Sequence, residues 1–313
     1  MEFLSMAPER DIVLTIGVFD GVHLGHRHLA QQVMRRAQEL RCLSGIITLH
    51  PHPQAVLRPG NGPLYLATLD ERLGLLRELG LDVVAALPFT LELARLSALE
   101  FMSLVCQHLR ELWVGPDFAL GHRREGTVTR LTEIGQELGY QVHVVSPLVL
   151  NGQTVSSTLI RDLVWQGQVE AAARLLGRWY HVSGAVMPAD QRGCQLGIPT
   201  AELVVDDGVV LPVNGVYAAY ARLGVRQWPA MACVGLSFAG PERRLEVHMP
   251  DFADDLDGQS LRVEFVRRLW SDVLLTPAEA LTSQFYINKP ADFWKCSLDL
   301  QHFLDLSYYQ TVL

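Results

Sequence analysis

An apolar run, Ile12-Val13-Leu14-Thr15-Ile16, leads directly into Gly17-Val18-Phe19-Asp20-Gly21-Val22-His23-Leu24-Gly25-His26. Beyond it, Leu29, Val33, Ala37 and Leu40 recur at helical spacing. A strand apolar on both faces, feeding a glycine turn and then a helix, is the opening of a βαβ unit. It commits the chain to a sheet covered by helices. The free N–H groups and partial positive charge of such a helix start suit a phosphate. His23 and His26, three residues apart, would then both face a bound phosphate chain.

The same alternation continues to about Gly177. Strands are expected at Ser44–Leu49, Asp82–Leu87, Leu112–Val114 and Val142–Val145, and helices at Leu69–Leu79, Ala98–Leu109 and Thr129–Leu138. The pattern predicts a mostly parallel, Rossmann-like sheet that takes its ligand at the carboxyl ends of the strands. Four loops fall mainly at such ends: Gly17–His26, His50–Pro53, Gly115–Gly126 and Ser156–Arg161. They are expected to converge on one cleft. The two prolines of His50-Pro51-His52-Pro53 predict an extended loop.

Two of these loops carry chemistry of their own. Ser156, Ser157 and Thr158 put three hydroxyls at a helix start, with Arg161 one turn inside. They would serve as an ordinary N-cap, or would hold a phosphate that Arg161 neutralises. Gly115 to Gly126 is long for a simple connection and contains Asp117, Phe118, Arg123 and Arg124, which favours a substrate loop over a surface turn.

Composition narrows the partners. The 313 residues are 49% hydrophobic and 19% charged, a folded chain long enough for two domains. A net charge of −8 and a pI near 5.8 lack the basic footprint of a nucleic-acid binder. Lysine occurs only at Lys289 and Lys295, so phosphate contacts elsewhere fall to arginine, histidine or backbone. No apolar run reaches the ~18 residues of a membrane span, and Met1–Asp11 has no signal-peptide core. Five scattered cysteines without a CxxC fit a reducing cytoplasm, with neither zinc nor disulfides. Small molecules are the expected partners.

Near Arg178 the pattern changes. Short strands are expected at Tyr180–Val186, Gly215–Ala221, Ala230–Gly235, Arg244–Met249 and Ser260–Val266, then a helix over Thr276–Phe285. This describes a small closed β-barrel followed by a C-terminal helix. The boundary is expected at Gly177–Tyr180, giving domains 1–178 and 179–313.

The first half resembles the FMN adenylyltransferase (FAD synthetase) module of bacterial bifunctional riboflavin kinase/FAD synthetases. The matching stretches are TIGVFDGVHLGH, ITLHPHPQAVLRP, VGPDFALGHRREG and VSSTLIR, in family order. The resemblance implies a nucleotidylyltransferase domain that transfers AMP from ATP to FMN. His23, His26 and Arg161 would act at the ATP phosphates. Gly17, Phe19, Asp20, Gly21, Gly25, Ser156, Ser157 and Thr158 would line the nucleotide side. Gly115, Asp117, Phe118 and Arg124 would line the flavin side. Mg²⁺ is implied by the ATP chemistry.

The second half resembles the riboflavin kinase module through RGCQLGIPTAEL, LPVNGVYAAYARL and ERRLEVHMPDF. That resemblance implies a phosphate-cradling loop with Gly193, Gly197 and Thr200, a metal held by Thr200 and residue 202, and Glu246 as the base on the ribityl hydroxyl. Several positions depart from the family pattern. Glu202 replaces an asparagine, and Cys194 replaces a basic residue. Val234 to Pro241 lacks the Pro-Thr-Phe of the family and is shorter. Three readings follow: a bifunctional enzyme, an FAD synthetase with a non-catalytic flavin-binding barrel, or a flavin or nucleotide sensor. Residues 288–313 match nothing recognisable.

Overall fold

The computed structural model describes residues 10–105, 107–187, 200–236, 243–249, 252 and 256–270. These form two compact units. One runs up to Leu64 and over Thr68–Ser156; the other takes Tyr65–Ala67 and Ser157 onward.

In the first unit, β1 (Ile12–Gly17), α1 (Leu24–Leu40), β2 (Leu43–His50), α2 (Pro53–Leu57), α3 (Leu69–Arg77), β3 (Val83–Pro88), α4 (Leu91–Arg95), α5 (Ala98–Val105) and β4 (Leu109–Val114) follow one another. The hairpin β5 (Ala119–Leu120)/β6 (Gly126–Thr127), α6 (Val128–Leu138), β7 (Gln141–Val144) and the hairpin β8 (Val149–Leu150)/β9 (Gln153–Thr154) complete it. The sheet is parallel, in the order β3-β2-β1-β4-β7. Strand alternation fixes which helices cover which face. Val13 and Ile46 pack with α1 and α3, while Ile12, Leu14, Ile16 and Leu112 pack with α5 and α6. The order reverses between β1 and β4, so the crevice for a ligand opens at their carboxyl ends, Gly17 and Val114.

Local structure refines two expectations. Pro53 opens α2 instead of lengthening a loop, because proline is accommodated in the first helical turn, and His52 caps it by accepting from Gln54 N at 3.1 Å. On α3 the buried face is Arg72, Leu75 and Leu76, rotated from the leucine stripe that the sequence presents.

The second unit begins with α7 (Ser157–Trp165) and α8 (Val169–Leu176). A closed antiparallel barrel follows: β10 (Tyr180–Val186), β11 (Thr200–Val205), β12 (Gly215–Leu223), β13 (Arg226–Leu236), β14 (Arg243–His248) and β15 (Ser260–Trp270). Its spatial order is β10-β11-β14-β13-β12-β15. Tyr180, Val182, Tyr217, Leu245, Val247, Val263 and Phe265 are all buried; on β14, Leu245 and Val247 alternate with half-buried Arg244, Glu246 and His248. Ala173 of α8 packs with Trp179, Ala218 and Val266. Thr200–Val205 is a strand, where the sequence reading sees only the tail of a glycine-rich loop. The expected helix at Thr276–Phe285 and residues 288–313 lie outside the described residues.

Asp82 ties the start of β2 to the approach to β3: its Oδ2 accepts from Ser44 N at 2.8 Å and Ser44 Oγ at 2.7 Å. The side-chain bond first, then the backbone bond, hold the Asp82 carboxyl below its ordinary pKa. A lowered folded-state pKa stabilises the fold above the unfolded value of about 3.9, and that stability is lost as pH falls through the folded value. Asp82→Ala is therefore expected to lower the unfolding midpoint at neutral pH. Thermal melts should show its deficit against the parent narrowing as pH drops below about 4.

Candidate functional site

The turn after β1 is tightly curled. Phe19 (φ 51), Gly21 (φ 74) and Val22 (φ 41) all take positive φ within four residues. Glycine does this without strain; a β-branched valine does not. His23 then caps α1, its Nδ1 accepting from His26 N at 3.3 Å. The two imidazoles stack with centroids 3.5 Å apart and planes 18° from parallel, and Phe19 meets His26 edge-on at 5.2 Å. A Cβ on Gly25 would lie 3.2 Å from His23 Nδ1, and one on Gly17 would lie 3.0 Å from Phe19 Cζ. These two glycines make room for the rings themselves.

Arg72 holds this turn from beneath. It is fully buried. Its Nη1 donates to Val18 O at 3.0 Å, to Leu49 O at 3.4 Å and to Thr48 Oγ1 at 3.4 Å, and its Nη2 lies 3.8 Å from Asp20 Oδ1. Thr48 Oγ1 also donates to Val18 O, at 2.7 Å. Asp20 is itself 1% exposed, so this is a buried ion pair reinforced by hydrogen bonds to backbone carbonyls.

The loop after β4 is equally constrained. Phe118 N donates to Gly115 O at 3.2 Å, and Arg124 Nη2 donates to Asp117 O at 2.9 Å. Gly121 (φ 76) passes so close to α5 that a Cβ there would lie 2.6 Å from Ala98 N. Glu125 Oε1 accepts from that same Ala98 N at 2.8 Å, anchoring the loop to the helix start. Between this loop, the β1 turn and α2 lies a cavity of about 600 Å³. Ile16, Leu49, Phe89, Phe101 and Phe118 give it apolar walls. Gly17, His52, Arg58, Asp117 and Arg124 are also among its lining residues. A space of that size, with apolar walls and a few polar groups, is in the range of small-molecule sites.

The third motif straddles the two units. Ser156 precedes α7 and belongs to the first; Ser157, Thr158 and the half-buried Arg161 belong to the second. The hydroxyls stand at the helix start, as expected, with Arg161 one turn inside.

On the barrel, register brings the candidate kinase residues together. Thr200 is opposite His248, Glu202 is opposite Glu246, and Cys233 flanks Glu246 on its other side. Leu245 and Val247 face the barrel interior, so Arg244, Glu246 and His248 share the outer face of β14. Arg244 Nη1 donates to Glu202 Oε1 in an ion pair. Burial, then the neighbouring Glu202 carboxylate, push the Glu246 carboxyl up, opposed by Arg244. Burial, with Glu246 beside it, pushes the Cys233 thiol up to about 12. Gly193 and Gly197 lie outside the described residues, as does the side chain of Thr200.

Comparison with known proteins matches the two halves of the chain to two family models. That for FAD synthetase matches residues 5–159 and that for riboflavin kinase matches residues 176–289. The bifunctional riboflavin kinase/FMN adenylyltransferase of Escherichia coli (strain K12) is 34% identical over 287 residues, covering 90% of this chain and 91% of that protein. The chain belongs to the bifunctional riboflavin kinase/FMN adenylyltransferase family. The protein of that name from Bacillus subtilis (strain 168) is 29% identical over 286 residues, covering 88% of this chain and 90% of its own. A solved structure titled a macrolide-efflux protein from Streptococcus pneumoniae superposes with a TM-score of 0.83 at 27% identity, over 92% of this chain and 96% of that one. No helix among the described residues is long and apolar enough to cross a membrane.

Sequence reasoning names none of Arg72, Arg58 and Arg244 as a site residue, and places His52 in the candidate cleft only as part of the His50–Pro53 loop. Arg72 leaves one trace: it lies three residues after Leu69 and four before Leu76, where a core residue belongs. Arg244 leaves none, because its partner Glu202 is 42 residues away and meets it only across the barrel ladder. Arg72→Met is expected to cost about 3–5 kcal/mol, because it removes the cation of a buried ion pair together with its hydrogen bonds to Val18 O and Leu49 O. Denaturant unfolding of Arg72→Met beside the double variant Asp20→Asn/Arg72→Met checks this: the second change should restore part of the loss.

Proposed function

We propose that this chain makes FAD from riboflavin in two steps, with a functional boundary at residues 178/179. The barrel would phosphorylate riboflavin to FMN, and the N-terminal domain would adenylylate FMN. The observation that carries the second step is the stacked His23–His26 pair at the start of α1, on the same turn whose Gly17 lines the 600 Å³ cavity with Phe118 and Arg124.

In adenylyl transfer an FMN phosphate oxygen forms a bond to the α-phosphorus of ATP while the bond to the bridging oxygen breaks and pyrophosphate leaves. That oxygen is already anionic at pH 7, so the site needs no strong base. It must bring two anions together and stabilise charge on the α-phosphate. His23, His26 and the α1 N-terminus would take the ATP phosphates, with Gly21, Gly25, Phe19 and Asp20 shaping the turn. Ser156, Ser157, Thr158 and Arg161 would hold the other end of the phosphate chain. Asp117, Phe118 and Arg124, with Gly115 at the base of their loop, would receive the flavin and its phosphate.

In the barrel Glu246 would take the proton of the terminal ribityl hydroxyl as that oxygen bonds to the γ-phosphorus and ADP leaves. A carboxylate whose pKa is raised by burial is a better base than an exposed one. Gly193 and Gly197 would cradle the phosphates. Thr200 and Glu202 would offer magnesium a hydroxyl and a carboxylate oxygen, and Glu202 Oε1 also accepts from Arg244. Among the described residues no three His, Cys, Asp or Glu cluster to hold a metal by themselves, so substrate phosphates would complete its shell. Bound there, it would offset phosphate charge. Scattered cysteines fit the cytoplasm as the compartment.

Incubation with Mg-ATP and either riboflavin or FMN, followed by chromatography of the flavins, tests both steps. FAD from both substrates is the expected result. FAD from FMN alone would mean that the barrel only binds flavin, and no product from either would leave a sensor. His26→Ala should slow FAD formation from FMN by about 10²-fold or more. Near-normal turnover by that variant would overturn the phosphate assignment.

A further inference from the structure

We propose that Glu202 and Arg244 act as one neutral unit in the kinase site, with Arg244 a positioning residue that cancels the charge of Glu202 so that an anionic nucleotide is admitted. The proposal rests on the reading of the barrel as a riboflavin kinase.

Glu202 stands directly opposite Glu246 on the antiparallel β11–β14 ladder. Directly opposed residues bring their Cβ atoms within about 4.5–5.5 Å, and like charges there destabilise the pair. A polyphosphate approaching two carboxylates would meet a second repulsion. Arg244, two residues from Glu246 and on the same outer face, donates from Nη1 to Glu202 Oε1. The three side chains together then carry one negative charge, that of Glu246. This is the charge the family's neutral asparagine at position 202 would leave.

Stability does not account for the pair. The Glu202 and Arg244 side chains are 32% and 34% exposed, and ion pairs that open to water contribute about 0–1 kcal/mol. Their exposure leaves both within reach of a ligand on the outer face. The guanidinium also supplies a cation in a module whose sequence has Cys194 where the family pattern has a basic residue. The charge of Glu202 is thus answered by that of Arg244, which a reading of position 202 alone registers only as damage.

A double-variant cycle tests this with Arg244→Gln and Glu202→Asn/Arg244→Gln. Three quantities would be measured: riboflavin phosphorylation, calorimetric binding of ADP, and FAD formation from FMN as a folding control in the same chain. Arg244→Gln should raise the KM for ATP about tenfold and weaken one of the two nucleotide-binding events. Its FAD formation from FMN should be unchanged. The double variant should recover both the KM and the lost binding, since asparagine needs no cation beside it. If the parent phosphorylates riboflavin and Arg244→Gln matches it, or the double variant is no better than Arg244→Gln, the coupling is overturned. A parent that makes FAD from FMN but no FMN from riboflavin would overturn the kinase reading, and the proposal with it.

Discussion

Beneath the turn that carries the two candidate histidines sits a guanidinium with no exposure to water. Arg72 comes from α3, yet its hydrogen bonds go to Val18 O at the end of β1 and to Thr48 and Leu49 at the end of β2, and its charge faces Asp20. A buried cation is tolerated only where carbonyls and a carboxylate replace its water, so each of these groups is held where the arginine requires it. That requirement sets the path of residues 18–20. The positive φ values at Phe19 and Val22 follow from it, and so does the angle at which His23 enters α1. Val22 is also held by its own bonds, its N donating to Phe19 O at 3.1 Å and its O accepting from Arg27 Nε at 3.4 Å.

The position of the cavity follows from sheet order. Because β1 pairs with β2 on one side and with β4 on the other, the loops leaving β1 and β4 flank a crevice that no crossover helix covers. Each loop is fastened at its base. Arg72 fastens the first, and Glu125 and Gly121 fasten the second against the start of α5. Loops held in this way can present Gly17, Phe118 and Arg124 to a ligand without first paying the entropy of ordering them.

Much of this was legible in the chain. Apolar runs, glycine turns and helical spacing gave every strand of the parallel sheet to within a few residues, and the H-x-G-H and Ser-Ser-Thr-x-x-Arg signals marked helix starts that the structure has. Periodicity was least reliable where a polar residue is buried. The leucines of α3 suggest a stripe through Leu73, whereas the buried face runs through Arg72 and Leu75, because the site below needs a cation and not another leucine. Likewise Thr200–Val205 was read with the Gly193–Pro199 loop before it, and its strand emerges through pairing with β10 and β14.

Residue type and spacing along the chain determined the two fold classes, the existence of the His23/His26 and Ser156–Arg161 motifs, and the chemistry those groups can perform. These are local properties, set by side-chain shape and by backbone periods of 2 and 3.6 residues. Tertiary structure alone decided which distant groups share a charge: Arg72 with Asp20 across 52 residues, and Arg244 with Glu202 across 42. No periodicity records such pairs. They exist because helix packing on the sheet, for the first, and strand register, for the second, bring together residues far apart in sequence, and because a buried or closely opposed charge must then find its counterpart.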